Sequence, residues 1–149
     1  VLHWRPRSVA GLTVDPLLAR KHRDHHIDPR AVGLVFIPVQ SLIGALVSAG
    51  AIALLLFPRT ALGLSFLVTI LAFGLAYEWT HYLVHTDYRP KRALYRAIWR
   101  NHRLHHFKNE HYWYTVTTSG TADRLLGTYP DPVEVTTSKT AKNLHGSAS

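Results

Sequence analysis

The sequence predicts an all-α, integral membrane protein: a transmembrane helix hairpin carrying a cytoplasmic, histidine-rich helical cap. Three observations predict it. Two uncharged apolar runs lie back to back, charged residues make up only 17% of the chain, and histidines cluster at helical spacing on both sides of the apolar runs.

The first run, residues 31–57, has no charged side chain, and its part after Pro38, residues 39–57, would span roughly 28 Å as a helix, one bilayer crossing. Pro38 either kinks this span or marks its first turn; the second is favoured, because proline lacks the donor a helix interior needs. Pro58 and Arg59 interrupt the run, and residues 60–77 then supply a second span of roughly 27 Å. Ser41, Ala45 and Ala49, like Gly44 and Ser48, place small residues four apart, the spacing that lets helices approach closely in lipid. A buried soluble hairpin is the competing explanation. Neither run carries the polar stripe of a surface helix, and a chain of 149 residues is too short to enclose both all round.

A hairpin returns its outer ends to one side of the bilayer. The turn between the spans carries only Arg59, whereas the flanks carry Arg20, Lys21, Arg23, Arg30, Arg89, Lys91, Arg92, Arg96, Arg100 and Arg103, so the flanks are expected in the cytoplasm. Residues 1–129 are read as one membrane domain. Residues 130–149, rich in Pro, Thr, Ser, Lys and Asn without periodicity, are read as a poorly ordered tail in which His145 is idle.

Composition excludes several function classes. The net charge of +8 does not indicate nucleic acid, because Arg and Lys flank the apolar runs and no basic face interleaved with aromatics lies between them. The absence of cysteine excludes disulfides, iron–sulfur clusters and thiolate-ligated haem. There is no methionine and the first residue is Val1, so an upstream segment is expected to be missing. No signal peptide or targeting motif is legible. No G-x-G-x-x-G or P-loop occurs, so reducing equivalents for any redox reaction must come from another protein.

Histidine carries the chemistry. His22, His25 and His26 form one H-x-x-H-H triplet, His102, His105 and His106 a second, and His81 with His85 a pair four apart; His3 stands ahead of them all. On helices, residues three and four apart share a face, so each triplet offers three imidazoles toward one point. Residues 77–85 would continue the second span out of the membrane, and residues 91–106, after Pro90, suit a further helix. Clustered imidazoles repel one another once protonated, and a divalent cation holds them neutral. Nine exceed what one tetrahedral or octahedral ion uses, so two neighbouring metal ions are expected. The plain alternative, polar residues at a membrane surface, suits any single histidine but not a triplet occurring twice.

The order H-x-x-H-H, two spans, H-x-x-x-H, H-x-x-H-H resembles the fatty acid hydroxylase and sterol desaturase superfamily. His105-His106-Phe107-Lys108-Asn109, then Val116-Thr117-Thr118, then Asp123-Arg124-Leu125-Leu126-Gly127-Thr128, is particularly similar to its fatty acid 2-hydroxylase branch. The resemblance implies an oxidoreductase with two iron ions, for which zinc can substitute during purification. It further implies O2 as co-substrate, a membrane lipid as substrate, and an external electron donor such as cytochrome b5 or ferredoxin with its reductase. The implied metal ligands are His3, His22, His25, His26, His81, His85, His102, His105 and His106, with no catalytic residue beyond them. Such proteins also use an earlier H-x-x-x-x-H motif. His3 stands where its second histidine falls, so the first, and one or two helices, are expected upstream of Val1.

Glu78, one turn before His81, and Asp123 are candidates to orient a ligand, as are Asp24 and Asp28, but a solvated or capping role is favoured for each. Beside His111, Tyr112, Trp113 and Tyr114 either wall a lipid pocket or anchor at headgroups, and the anchor role is favoured. Unactivated C–H bonds resist acid–base attack, which points to oxygen activation by a redox-active metal. Fatty acyl hydroxylation leads; carotenoid or sterol hydroxylation or desaturation stands next. A zinc-dependent membrane hydrolase using the same imidazoles is a rival of another class, and an inactive, membrane-inserted fragment a third. The excess of Arg over Lys and the lack of an endoplasmic-reticulum retention signal favour a bacterial inner membrane over the endoplasmic reticulum.

Overall fold

The computed structural model describes residues 2–142 and 144. Most of it is helical: α1 (Leu17–Ile27), α2 (Val32–Val35), α3 (Val39–Leu55), α4 (Thr60–His85), α5 (Ala93–Phe107) and α6 (Thr121–Leu125). The expectation of an all-α chain is corrected at the N-terminal end. There β1 (Arg7–Val9) and β2 (Leu12–Val14) pair antiparallel, Arg7 opposite Val14 and Val9 opposite Leu12. Ala10 and Gly11, with φ of 49° and 79°, make the two-residue turn whose handedness matches strand twist, and β-branched Val9, Thr13 and Val14 favour the extended flanks.

Proline sets several boundaries. Asp28, before Pro29, is pushed out of the helical region (φ −127°, ψ 79°) and ends α1. Pro38 is the N-cap of α3, so it starts this helix rather than kinking it. α4 is unbroken over 26 residues, about 39 Å at the usual helical rise, and delivers His81 and His85 at its end.

The two apolar helices bury little of themselves. Val47, Leu54, Leu55, Phe73 and Leu75 stand exposed along them, the surface expected of helices solvated by lipid. They meet closely beside their short connection: a Cβ on Gly63 would lie 2.7 Å from the Ala53 carbonyl oxygen, and Ala49 and Ala53 are buried there. The expected small-residue stripe is therefore only partly used. Gly44, Ala45 and Ser48 face outward, because the close approach is confined to the end where the connection joins the helices. At the other end, the Ile37 amide donates to Glu78 (3.2 Å), and Arg30 pairs with Asp87 (3.0 Å). The second pair is exposed and adds little stability, but it records that the segments flanking the apolar helices are neighbours.

The core mixes apolar and polar side chains. Among the described residues, the largest fully buried side chains are Trp113, His25, His26, His106, Asn101 and Asp123. Within the described part of the tail, residues 130–142 and 144, the chain makes specific contacts. Ser138 donates its amide to the Lys108 carbonyl (2.7 Å), and Ala141 and Leu144 are buried. Composition missed this because these contacts are made by hydroxyls and backbone, which need no apolar periodicity. His145 lies outside the described residues.

Candidate metal centre

Helix geometry dictates how the histidines are shared out. At 100° per residue, positions i and i+4 diverge by about 40°, while i+3 lies about 100° from i+4. Each H-x-x-H-H triplet thus has a pair aimed one way and a single ring aimed another. The structure follows this division: His25, His81, His85, His102 and His106 form one group and His3, His22, His26 and His105 a second, with candidate ligand atoms within 4.8 Å of one another in each. The expectation that a triplet serves one point is corrected. α1 gives His25 to the first group and the pair His22 and His26 to the second; α5 gives the pair His102 and His106 to the first and His105 to the second. The two groups abut, with the His26 and His106 rings stacked at 4.1 Å between centroids.

Each ring reaches its place by a traceable route. His81 and His85 lie one turn apart at the end of α4. His3 lies on the arm before β1, and Arg23 ties that arm to α1 by donating to the Trp4 carbonyl (2.8 Å) and pairing with Asp15 (2.6 Å). His105 donates Nδ1–H to the Tyr112 carbonyl (2.8 Å), and His26 donates Nδ1–H to the Ala141 carbonyl (2.8 Å). Both bonds fix the tautomer and leave the Nε2 lone pair as the ligating atom.

The donor set fits metal ions. His85 Nε2 lies 3.1 Å from His25 Nε2 and 3.0 Å from His102 Nε2, which in turn lies 3.0 Å from His106 Nε2. A neutral imidazole nitrogen has either one hydrogen or one lone pair, so this chain of contacts cannot be satisfied by hydrogen bonds throughout. His22 Nε2 is likewise 3.1 Å from His3 Nε2 and 3.2 Å from His26 Nε2. Nε2 lone pairs turned inward on a shared cation resolve the conflict, and they are neutral as ligation requires. Burial, reinforced by the neighbouring imidazoles, holds His3, His25 and His105 down to about 3 and pushes His102 and His106 well below the ordinary histidine range.

The carboxylates bond to backbone amides, to hydroxyls and to a surface lysine. Glu78 accepts from the Ile37 amide and not from a histidine; it braces the entry to α3. Asp24 pairs with Lys21 (3.6 Å). Asp123, 2% exposed, accepts from the Tyr114 amide (2.9 Å), the Thr115 amide (3.0 Å) and the Thr128 hydroxyl (2.9 Å). It therefore orients the loop whose Tyr112 carbonyl holds His105, rather than a ligand directly. Burial would raise its pKa, but these bonds outweigh that and hold it below the usual carboxylate range.

Trp113 is fully buried, which rules out a headgroup role for it. Tyr114 instead packs against His105 at 5.2 Å and His3 at 5.6 Å. It helps to wall a cavity of about 530 Å³ that has His3, His22, His102 and His105 on one side and Leu2, Tyr77 and Val116 among its apolar lining. The wall reading of these aromatics replaces the anchor reading for Tyr114. The contributions of Tyr112 and Ala141 leave no trace in sequence reading. Both act through backbone carbonyls, which any residue possesses.

Two apolar helices of membrane-spanning length, one of them ending in a buried polyhistidine cluster that could hold metal ions, define the class: a histidine-rich protein of membrane type. The family model for fatty acid hydroxylase matches residues 1–128, and the chain belongs to that family of membrane lipid hydroxylases and desaturases. No curated protein and no solved structure matches it.

Proposed function

We propose that the chain is the catalytic membrane domain, residues 1–129, of a two-iron, O2-dependent hydroxylase of fatty acyl chains, of the 2-hydroxylase type. The observation that carries this reading is the sorting of nine histidines into adjoining groups of five and four beside a partly apolar cavity. A pair of redox-active ions held there would supply oxygen activation: with two external electrons and two protons, one oxygen atom enters a C–H bond and the other leaves as water.

The chain's own residues would do the rest. His26 and His105, each tied through Nδ1 to a carbonyl, present fixed Nε2 lone pairs. Leu2, Tyr77 and Val116 offer apolar contact to a lipid chain, and Tyr114 closes the wall next to His3 and His105. Confinement against these side chains selects which carbon faces the imidazoles. α3 and α4 would cross the bilayer as a hairpin with the histidine face in the cytoplasm, in keeping with the arginine-rich flanks and the single Arg59 in the turn. The membrane is read as a bacterial inner membrane. Electrons would come from a cytochrome b5- or ferredoxin-type donor, since the sequence has no nucleotide-binding motif of its own.

The test is isotopic. Protein loaded anaerobically with Fe(II), then given a reductant, a broad lipid mixture and 18O2, is expected to yield hydroxylated fatty acyl product carrying 18O. Absence of oxygenated product, or a product whose new oxygen carries no 18O, defeats the oxygenase reading, and the second outcome favours a hydrolase.

A further inference from the structure

The stretch after residue 128 lies outside the family match, yet it reaches one ring of the four-histidine group, His26. Just past α5, the Lys108 carbonyl accepts the Ser138 amide (2.7 Å), and Asn109 donates its side-chain amide to the Thr136 carbonyl (3.3 Å). Next in sequence, Glu110 is 2% exposed, and its Oε1 accepts the hydroxyls of Ser138 (3.0 Å) and Thr140 (2.5 Å). A carboxylate this buried needs donors in place of its water, and on Oε1 the two hydroxyls supply them, so they form an anchor with Glu110, whose Oε2 has no hydrogen-bond partner among the described residues. One residue beyond that anchor, the Ala141 carbonyl accepts from His26 Nδ1.

We propose that residues 136–141 form a strap, pinned on Glu110, whose Ala141 carbonyl positions His26, so that metal occupancy of the four-histidine group depends on the strap. The proposal rests on the reading of the histidines as metal ligands. The strap acts through one bond on one ring: without the Ala141 carbonyl, His26 is free to exchange tautomers and to turn its Nε2 away from His22. The five-histidine group is the internal control, because the Nδ1 atoms of its His25, His102 and His106 have no hydrogen-bond partner among the described residues and so receive nothing from the strap. Ala141, Glu110, Ser138 and Thr140 are positioning residues, not ligands.

The experiment titrates the detergent-purified chain anaerobically with Fe(II) against a competing chelator. Three variants are compared with the unmodified protein: deletion of residues 136–149, the double substitution Ser138→Ala/Thr140→Val, and the conservative Glu110→Gln. The unmodified chain is expected to take up two ions. The deletion and the double variant are expected to bind one of the two about 10–100-fold more weakly, with the other unchanged. Glu110→Gln retains an oxygen acceptor and is expected to stay closer to the unmodified protein. If the deletion does not fold, the double variant decides. Equal weakening of both ions, or no weakening of either in a variant of unchanged helicity, overturns the strap alone. An unmodified chain that takes up no iron overturns the metal reading and the strap with it.

Discussion

Asp123 offers a demanding test of how the loop beside the histidines is held. Its carboxylate accepts from two backbone amides, Tyr114 and Thr115, and from the hydroxyls of Thr115 and Thr128. In Asp123→Ala the hydroxyls can rotate toward other acceptors, and Thr128 already lies 3.4 Å from the Asp123 carbonyl. The two amides cannot rotate. Each stranded, part-buried donor costs about 1–3 kcal/mol, so the two together are expected to cost about 2–6 kcal/mol. Asp123→Asn keeps one acceptor oxygen but turns an NH2 toward a donor, and about half that loss is expected. The damage should also reach the metal centre. Trp113, at φ 55°, holds a backbone conformation unfavourable for a bulky residue, and its amide bond to the Thr128 carbonyl (3.0 Å) fixes it beside Tyr112. Once Asp123 is gone the strained turn can relax and withdraw the Tyr112 carbonyl from His105. Thermal unfolding in detergent at neutral pH, with iron content measured on the same samples, reads both effects. An Asp123→Ala protein with native Tm and native iron content refutes this account of the loop.

Three further outcomes are expected. Gly63→Ala places a Cβ 2.7 Å from the Ala53 carbonyl, which is backbone and cannot swing aside; α3 and α4 must part, and thermal unfolding should show a loss of about 1–3 kcal/mol. His85→Ala removes the ring whose Nε2 meets both His25 and His102, and a chelator titration should show one ion bound much more weakly while the four-histidine group keeps its own. Acid should destabilise the metal-free protein: His25 and His105 are held down to about 3, first by burial and then by neighbouring imidazoles, against 6.5 in the unfolded chain. Above pH 6.5 both forms are neutral and nothing is lost. Below it the unfolded chain takes up protons that the native state refuses, so stability falls by about 1.4 kcal/mol per pH unit for each such histidine. Tm followed from pH 7 to pH 5 checks the sign, and a Tm that rises on acidification contradicts it.

What the sequence disclosed and what it hid follow from how each feature is encoded. The apolar helices and histidine clusters are periodic, and periodicity is written in residue identity: an uncharged run of bilayer length, a pair four apart, a triplet spaced three and one. Even the division of the triplets was available, since the 100° step separates His25 from the pair His22 and His26 as it separates His105 from His102 and His106. Counting spacing alone, without that angle, sends each triplet to a single point. The strand pair at residues 7–14 carried a weaker signal, because Ala10-Gly11 lacks the asparagine or aspartate that marks a tight hairpin. The least legible parts are those that tune the site. Tyr112 and Ala141 act through carbonyls that any residue possesses, so only the path of the chain reveals them. A Ser- and Thr-rich tail reads as disorder when it is scored for apolar burial, yet hydroxyls are what a buried carboxylate such as Glu110 needs. The useful signal is therefore relational. A lone acid next to a histidine triplet calls for donors elsewhere in the chain, and a polar tail of otherwise unassigned purpose is where to look for them.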